Sequence, residues 1–588
     1  MSTPLPAQDD HLRRDTEPLL SVVIPTHDVE PWIDELLGSV LECTLTSMEV
    51  VVVDDHSSDG TFERLTDFAS ADPRVRVVRA HKRGGAGARN VGLAVSRGKY
   101  IAFADGDDIV PPGAYERLVA SLEESGSDIA FGDWLKFSSV RTWQPSRNWR
   151  VFDESRAEAS ITDVPALIRG RAVWNKVFRR TFLTAIGLEF PEVPRSNDIV
   201  PMTRTYLSAR TIDVLPDCVY LYRDRPGTGS MTSRAGADAA AVSYFTQEAA
   251  CAELVSAHGD AGLAKTYSSL VFDADAWLHL SRFLRSVSSD RVRASGALAA
   301  LEHLVEATPH WSLPVATPHK QVLWCLVMAG ELDVAIRFNR LEEDARQRDT
   351  YDVETLEAWV DALEVIARRT DVLPKVSRER IVTDGLATVL LHHARDVGRD
   401  AVDALTERVA GAGLADSIDL AAVKRGPVRQ VVRALQLREP GAVWLISTSI
   451  RTRLVVDDVR LDRTGAVLSG PVELLGDDVR LTVIARAQGT AGTFRIRPEA
   501  DAARWSVAVP SHRVALGRWD LVGEYAIGAA TVEVPVVTAR MQLPLPERFD
   551  TLRVLGDRSR NWRVVLERRR AAASRAALKV VRQVVPRR

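Results

Sequence analysis

Residues Gly98 to Asp108 read Gly-Lys-Tyr-Ile-Ala-Phe-Ala-Asp-Gly-Asp-Asp, an apolar run that leads straight into three carboxylates. Tyr100 to Phe103 predict a buried strand. At its exit Asp105, Asp107 and Asp108 would repel one another unless a cation or a hydrogen-bonding ligand stood between them. Mg²⁺ and Mn²⁺ suit this arrangement, because each takes one or two protein carboxylates and completes its shell with water and phosphate oxygens. An isolated Asp-x-Asp is otherwise a solvated acidic turn, so the elements around it must decide.

Three further apolar runs precede it, each ending in a polar cluster. Leu20 to Ile24 ends at Pro25-Thr26-His27-Asp28, and Val50 to Val53 ends at Asp54-Asp55-His56-Ser57-Ser58-Asp59-Gly60. Val75 to Val78 ends near Gly84-Gly85-Ala86-Gly87-Ala88. Continuous Val/Ile runs with helical patterns between them predict βαβ units and a parallel sheet. Ligands bind beyond the carboxyl ends of such strands, so the polar clusters should converge on one crevice.

These segments resemble, in order and spacing, the successive signatures of family 2 inverting glycosyltransferases. The resemblance also takes in Arg89-Asn90-Val91-Gly92 and the block Trp174-Asn175-Lys176-Val177-Phe178-Arg179. It continues through Ser196-Asn197-Asp198, Tyr220-Leu221-Tyr222-Arg223-Asp224-Arg225 and Gly229-Ser230, covering residues 19–235. It implies a glycosyltransferase-A fold and a nucleotide-sugar donor, UDP-linked by the match at Asp55. Asp107 would be the metal ligand, with Asp105 beside it and near the ribose, and the ion Mn²⁺ or Mg²⁺. The metal would neutralise charge developing on the diphosphate.

Other roles follow the same resemblance. Asp55 would accept the uracil N–H, while Pro25 and His27 would line the base pocket. The family commonly has Tyr at His27 and Asn at Asp28 and at Lys82, the last a donor contact. Arg89 would bind the donor or pair with the clustered aspartates, two readings the residues leave open. Arg223 and Arg225 would clamp the diphosphate as a closing segment orders, or else lie on the surface. Trp174, Lys176 and Asn197 would stand on the acceptor side. Asp198 matches the catalytic base, where one carboxylate must take the acceptor hydroxyl's proton. Asn197 replaces a customary Glu, which removes a charge that would raise the pKa of Asp198. Asp55 would alternatively cap the helix at Thr61, and Asp198 the helix from Ile199 to Ala209.

A chain of 588 residues exceeds a single core, so several domains are expected. The net charge of −3 leaves no overall nucleic-acid footprint. Cys43, Cys218, Cys251 and Cys325 lack paired spacing, which fits a reducing cytoplasm and argues against a zinc or disulfide framework. No signal-peptide core opens the chain, and no apolar stretch reaches membrane-spanning length.

Residues 1–18 are expected to be disordered and 19–235 to form the catalytic domain. Residues 236–437 carry Ala, Leu, Arg and Glu at helical spacing, including a helical hairpin from Val322 to Phe338. Residues 438–546 switch to short alternating runs, beginning at Val443 to Ser449, and predict an antiparallel β-sandwich. By family analogy such a module binds polymer or drives homo-oligomer formation; a passive cap is the alternative.

Residues 547–588 form a basic tail. From Asp557 on it holds eleven Lys or Arg against two acidic residues. Trp562, Leu566, Ala573, Ala577, Val580 and Val584 recur at helical spacing, predicting an amphipathic helix on an anionic membrane surface.

The combined reading is a multidomain, cytoplasmic, metal-dependent enzyme at the inner face of the plasma membrane. It would pass a sugar to a hydroxyl of a cell-envelope glycan or teichoic-acid-like polymer, with no nucleic-acid partner. Two rivals remain: a polymer-binding scaffold with a decayed transferase domain, and a nucleotidyltransferase. The second needs a glycine-rich loop directly after the first strand, where this chain has Pro25-Thr26-His27-Asp28.

Overall fold

The structure is a computed structural model. It describes residues 17–568 apart from 82–83, 226–236, 287–290, 310–312, 315, 370–374, 440, 450–451, 462–464, 472–478, 489–491, 501–503, 511–512, 515–516, 528–529, 539–551 and 558–562. Two compact units emerge, one ending at Gln321 and one beginning at Val322.

The first unit opens with β1 (Leu20–Thr26), α1 (Glu30–Leu41), β2 (Met48–Asp54), α2 (Thr61–Ala71), β3 (Val75–Arg79), α3 (Gly85–Val95) and β4 (Tyr100–Phe103). These alternate as foreseen. The valine run of β2 is buried at every position because helices cover both faces of the sheet. The four strands are parallel in the order β3-β2-β1-β4. Strand order therefore reverses at β1, and the crevice between the ends of β1 and β4 is where such sheets take ligands.

The chain continues through α4 (Ala114–Ser125), β5 (Ile129–Phe137), β6 (Thr142–Trp143), β7 (Arg156–Ala159), β8 (Lys176–Arg179), α5 (Arg180–Ala185), α6 (Ile199–Ser208) and β9 (Ile212–Arg223). These strands extend the sheet as β4-β8-β5-β9-β7, with β6 beside β5. β8 runs antiparallel to both of its neighbours, so the sheet is mixed beyond β4.

The helices expected to form a separate domain after residue 235 divide instead. Ala237–His258, Ala261–Asp273, Asp275–Ser286 and Arg291–Ala307 belong to the unit that holds the sheet. A buried ion pair fastens them: Arg171 meets Glu248 at 2.5 Å and Asp275 at 3.1 Å, and Tyr267 Oη donates to Glu248. Removing one partner would strand a buried charge, at a cost of about 3–5 kcal/mol.

The second unit holds helices Leu332–Arg348, Val353–Arg368, Ala387–Val397, Arg399–Gly411 and Gly426–Leu437. Val443–Ser449, expected as the first sandwich strand, lies instead in the helix Ala442–Ser449. The segment is buried on nearly every side, so it carries no periodicity to separate helix from strand. Thr448 and Ser449 donate their hydroxyls back to Trp444 O and Leu445 O, which keeps them inside the helix.

The later alternating runs, Val479 to Ala485, Thr493 to Arg497, Trp505 to Val509, Trp519 to Ala526 and Thr531 to Val536, do fall in strands apart from the end residues Val479 and Arg497, within a seven-stranded and a four-stranded sheet. Pairing is not wholly antiparallel, because Leu454–Val456 runs parallel to Ala530–Thr538. The tail also departs from expectation. Leu552–Asp557 and Arg563–Arg568 are antiparallel strands of the seven-stranded sheet, and Leu566 pairs with Trp519 and Val554. Residues 569–588 lie outside the described residues, as do 1–16. No described helix is long and apolar enough to cross a membrane.

Candidate active site

Each polar cluster falls at the carboxyl end of its strand. Pro25 closes β1 opposite Val53, and His27 follows with Nδ1 2.7 Å from Asp55 O. Asp55 is only 5% exposed. Its Oδ2 accepts from the backbone N–H of Gly84 at 2.7 Å, which docks the glycine loop onto the end of β2. Gly84 sits at φ 121°, a conformation that needs glycine. Asp55 Oδ1 is buried and accepts no hydrogen bond; His56 Nδ1 approaches to 3.5 Å without forming one. Asp55 does not cap α2, because Asp59 Oδ1 accepts from Thr61 N at 3.0 Å. Lys82 and Gly229-Ser230 lie outside the described residues.

The acidic turn follows β4. A side chain at Gly106 would meet Thr26 and Val29 within about 3 Å, so glycine lets the turn lie against the exit of β1. Tyr220 from β9 organises the turn: its hydroxyl accepts from Asp105 N at 2.9 Å and donates to Asp108 Oδ2 at 2.8 Å. Asp108 is buried, and its other oxygen accepts from Arg223 N at 2.7 Å. Burial, then Asp107 and Asp105, push the Asp108 carboxyl well above the usual range. Asp107 is also raised, by burial first, with Arg225 opposing and Asp105 reinforcing.

Both closing arginines are engaged. Arg225 Nε lies 2.7 Å from Asp107 Oδ2, with its guanidinium carbon 4.6 Å from the Trp32 ring centre. Arg223 Nε donates to Asp107 O at 2.7 Å, and its Nη2 meets Glu35 at 2.5 Å. The surface-arginine alternative does not hold, since each side chain is 18% exposed.

Arg89 on α3 links two parts of the site. Its Nη2 donates to Asp105 Oδ1 at 2.7 Å and its Nη1 to Asn197 Oδ1 at 3.2 Å. Burial would lower its proton affinity, but Asp105 and Asp198 more than offset that. Pairing with an aspartate, one of its two open readings, is present at Asp105.

Asp198 stands at the N-cap of α6, yet its side chain makes no capping hydrogen bond. Its carboxylate is left for another task. Burial raises its pKa, Arg89 opposes the rise and Asp105 adds to it, so the Asn197 substitution does not leave an ordinary aspartate. Ser196, two residues earlier, adopts φ 56°, and Asp28 and His56 are likewise left-handed at φ 49° and 58°. Such strain in non-glycine residues gathers at functional sites.

Asp198 opens on a cavity of about 610 Å³ lined by the Gly84–Gly87 loop, Arg89, Arg195 and Asn197. Helix Asp275–Ser286 adds His279 and Arg282. His279 stacks on Tyr244 at 3.6 Å, and burial with Arg282 pushes its pKa down to about 4, so it is neutral at pH 7. No motif pointed to these residues, because their helix lies beyond the stretch that carries the signatures.

Trp174 and Lys176, expected on the acceptor side, stand behind the wall. Trp174 stacks on Tyr220 with ring centres 4.5 Å apart. Lys176 is fully buried, with Nζ donating to Asn175 Oδ1 at 2.6 Å and lying 3.9 Å from the Phe131 ring centre. Burial holds its pKa well below the usual lysine range, against the pull of Asp198. β8 is buried on both faces over Lys176 to Phe178, so a polar residue in it is enclosed whichever way the strand alternates.

Comparisons with known proteins agree with this geometry. Residues 21–183 match the family described as Glycosyl transferase family 2. The uncharacterized glycosyltransferase EpsJ of Bacillus subtilis (strain 168) is 31% identical over 215 residues, covering 36% of this chain and 62% of EpsJ. The poly(ribitol-phosphate) beta-N-acetylglucosaminyltransferase TarS of Staphylococcus aureus (strain MW2) is 29% identical over 221 residues, 36% of this chain and 37% of TarS. The chain thus spans less than two thirds of the length of either protein. A crystal structure of S. aureus TarS 1–349 with UDP-GlcNAc superposes at TM-score 0.46 and 24% identity, covering 56% of this chain and 93% of that one. The ordered signatures, the parallel strands that carry them and the matched stretch lead to one assignment: residues 21–183 match a glycosyl transferase family 2 domain.

Proposed function

We infer that the protein is an inverting glycosyltransferase that moves a sugar from a UDP-linked donor to a hydroxyl of a cell-envelope glycan or polyol-phosphate polymer. One observation carries the reading. Asp198, raised in pKa and free of capping duty, shares a cavity with the glycine loop and is tied through Asn197 and Arg89 to Asp105. The proposed base and a phosphate-side carboxylate are thereby gathered around one guanidinium. An in-line displacement needs a hydroxyl deprotonated on one side and a diphosphate leaving on the other, the roles proposed for Asp198 and for the acidic turn.

Asp55 supports a uracil-type base. Its buried Oδ1 lacks a donor, and a ring N–H would supply one at the end of β2. Arg223 and Arg225, anchored on the acidic turn, are suited to bidentate contact with the diphosphate once that turn accepts a cation. The glycine loop follows β3 and not β1, which speaks against a nucleotidyltransferase.

The residues fit a divalent ion, Mn²⁺ or Mg²⁺, held by Asp107 with Asp105. Among the described residues no three His, Cys, Asp or Glu side chains converge as a complete cage, and two carboxylates suffice for an ion that takes its other ligands from water and phosphate. Burial and Asp105 raise the pKa of Asp107 against the pull of Arg225, so a cation there would favour the ionised carboxylate. Such an ion supplies Lewis-acid stabilisation of the departing diphosphate. The basic segment 569–588 is assigned to an anionic membrane surface, at the cytoplasmic face where lipid-linked polymers are built.

Thermal-shift screening of nucleotide sugars, with and without Mn²⁺, tests the reading. A UDP-sugar should stabilise the protein and Mn²⁺ should deepen the shift. Stabilisation by nucleoside triphosphates alone, with no donor consumption, would discard it.

A further inference from the structure

Two arginines at the Asp198 cavity, which Glu192 also lines, make no ion pair with the described residues. Arg195 lies on the segment leading to α6, and Arg282 projects from helix Asp275–Ser286. Neither guanidinium makes a hydrogen bond or ion pair with the described residues. Arg195 is fixed through its main chain, with Ser243 Oγ accepting from its N–H at 3.2 Å and donating to its carbonyl at 2.8 Å. Its Nε is buried without a partner. Burial and the nearby charge of Arg282 both pull Arg195 below its ordinary proton affinity.

Everywhere else in this site an arginine is matched. Arg89 has Asp105, Arg171 has Glu248, Arg223 has Glu35 and Arg225 has Asp107. The two guanidiniums repel each other, and the buried Nε of Arg195 lacks an acceptor, so an anion between them would be stabilised. The anion is not the donor diphosphate, whose expected place is the acidic turn held by Arg223 and Arg225. Arg195 and Arg282 face the space on the Asp198 side, where the acceptor hydroxyl must sit. A planar fork of donors matches phosphate oxygens bidentately.

We propose that Arg195 and Arg282 form a phosphate subsite for the acceptor, which selects a phosphodiester-bearing polyol polymer over a neutral glycan. This rests on the glycosyltransferase reading and deepens it. The phosphate next to the reacting unit docks between the two arginines and holds that unit's hydroxyl at Asp198. Both are specificity-determining residues and take no part in the proton transfer.

The test uses the full chain, the nucleotide sugar it consumes, and three acceptors: poly(ribitol phosphate), a uronic-acid polymer and neutral dextran. Wild type should transfer to the polyol phosphate. Arg282→Ala should raise the KM for that acceptor by about tenfold or more, the loss expected for charge-assisted hydrogen bonds, with kcat changed by less than about threefold. Arg282→Lys should recover much of the loss, and Arg195→Ala should behave like Arg282→Ala. Arg282 is exposed along its stem, so its variants should keep the wild-type melting temperature.

Preference for the uronic-acid polymer would overturn the phosphate assignment. Unchanged KM in both alanine variants would overturn the subsite, and a weakened Kd for UDP would move the arginines to the donor side. Failure of wild type to consume any nucleotide sugar would sink the underlying reading, and it is seen in donor consumption before any acceptor is added.

Discussion

Arg225 Nε lies 2.7 Å from Asp107 Oδ2, so the carboxylate proposed to hold a divalent ion already carries a positive partner supplied by the chain. The guanidinium offsets part of what burial and Asp105 do to Asp107. Arg225→Ala should therefore free Asp107 for metal in the absence of donor, giving several-fold tighter Mn²⁺ binding by calorimetry. Turnover should fall, because the diphosphate loses a contact. Unaltered Mn²⁺ affinity would mean that Asp107 is not the ligand.

Asp107→Ala should abolish Mn²⁺-dependent donor binding while leaving the fold in place. The truncation relieves repulsion from Asp105 and Asp108 but strands the Arg225 guanidinium, effects of opposite sign, so the melting temperature should move little. Full turnover by this variant, or by wild type in excess chelator, would end the metal assignment.

Asp198→Asn keeps the size and hydrogen-bonding capacity of the side chain but cannot accept a proton. kcat should drop by roughly 10²–10⁴-fold, the usual share of general-base catalysis, with donor Kd little changed. A base must be ionised to work, and burial raises this one. The acid limb of kcat should therefore lie above the ordinary aspartate range, with activity lost as pH falls through it. Loss of donor affinity with near-normal kcat would make Asp198 a donor-side residue.

Glu342 offers a test of stability in the second unit. Burial raises its pKa to about 7, although Trp359 Nε1 and Tyr351 Oη both donate to it. The unfolded chain releases this proton near pH 4.5, whereas the folded chain holds it to about 7. Stability should thus fall as pH rises between those values, by about 3 kcal/mol in all. Glu342→Gln should flatten that slope and melt higher than wild type at pH 8. Parallel melting curves for the two proteins across pH 5 to 8 would refute the burial account.

Deleting residues 569–588 removes Arg569, Arg570, Arg575, Lys579, Arg582, Arg587 and Arg588 with no acidic residue, and spares the strand Arg563–Arg568. Sedimentation with anionic vesicles should fall steeply while donor consumption persists. For the intact protein, binding should weaken with salt as the Debye length shrinks from about 10 Å at 0.1 M to about 3 Å at 1 M. Equal sedimentation of the two proteins would remove the membrane from the account.

The sequence by itself determined the parallel half of the sheet and the crevice at its end. Unbroken β-branched runs such as Val50 to Val53, spaced between helical patterns, favour strands buried on both faces, and each stops at a polar cluster that the topology then gathers. The acidic turn at Asp105 and Asp107 stood out for the same reason, whereas Asp55 and Asp198 were singled out by the resemblance to glycosyltransferase signatures.

What lies between distant elements was decided only by tertiary structure. The pairing of Arg225 with Asp107 joins the turn after β4 to the segment after β9, and neither sequence context names the other. His279 and Arg282 reach the Asp198 cavity because the buried Arg171–Glu248 pair draws the following helices onto the sheet. Lys176 looked available and is fully buried, because the burial of β8 depends on strands paired from far along the chain. Ala442–Ser449 and Arg563–Arg568 were misread on the same ground. A short apolar run, or a stripe that fits two periods, takes its conformation from the partners that cover it, and those partners are not local in sequence.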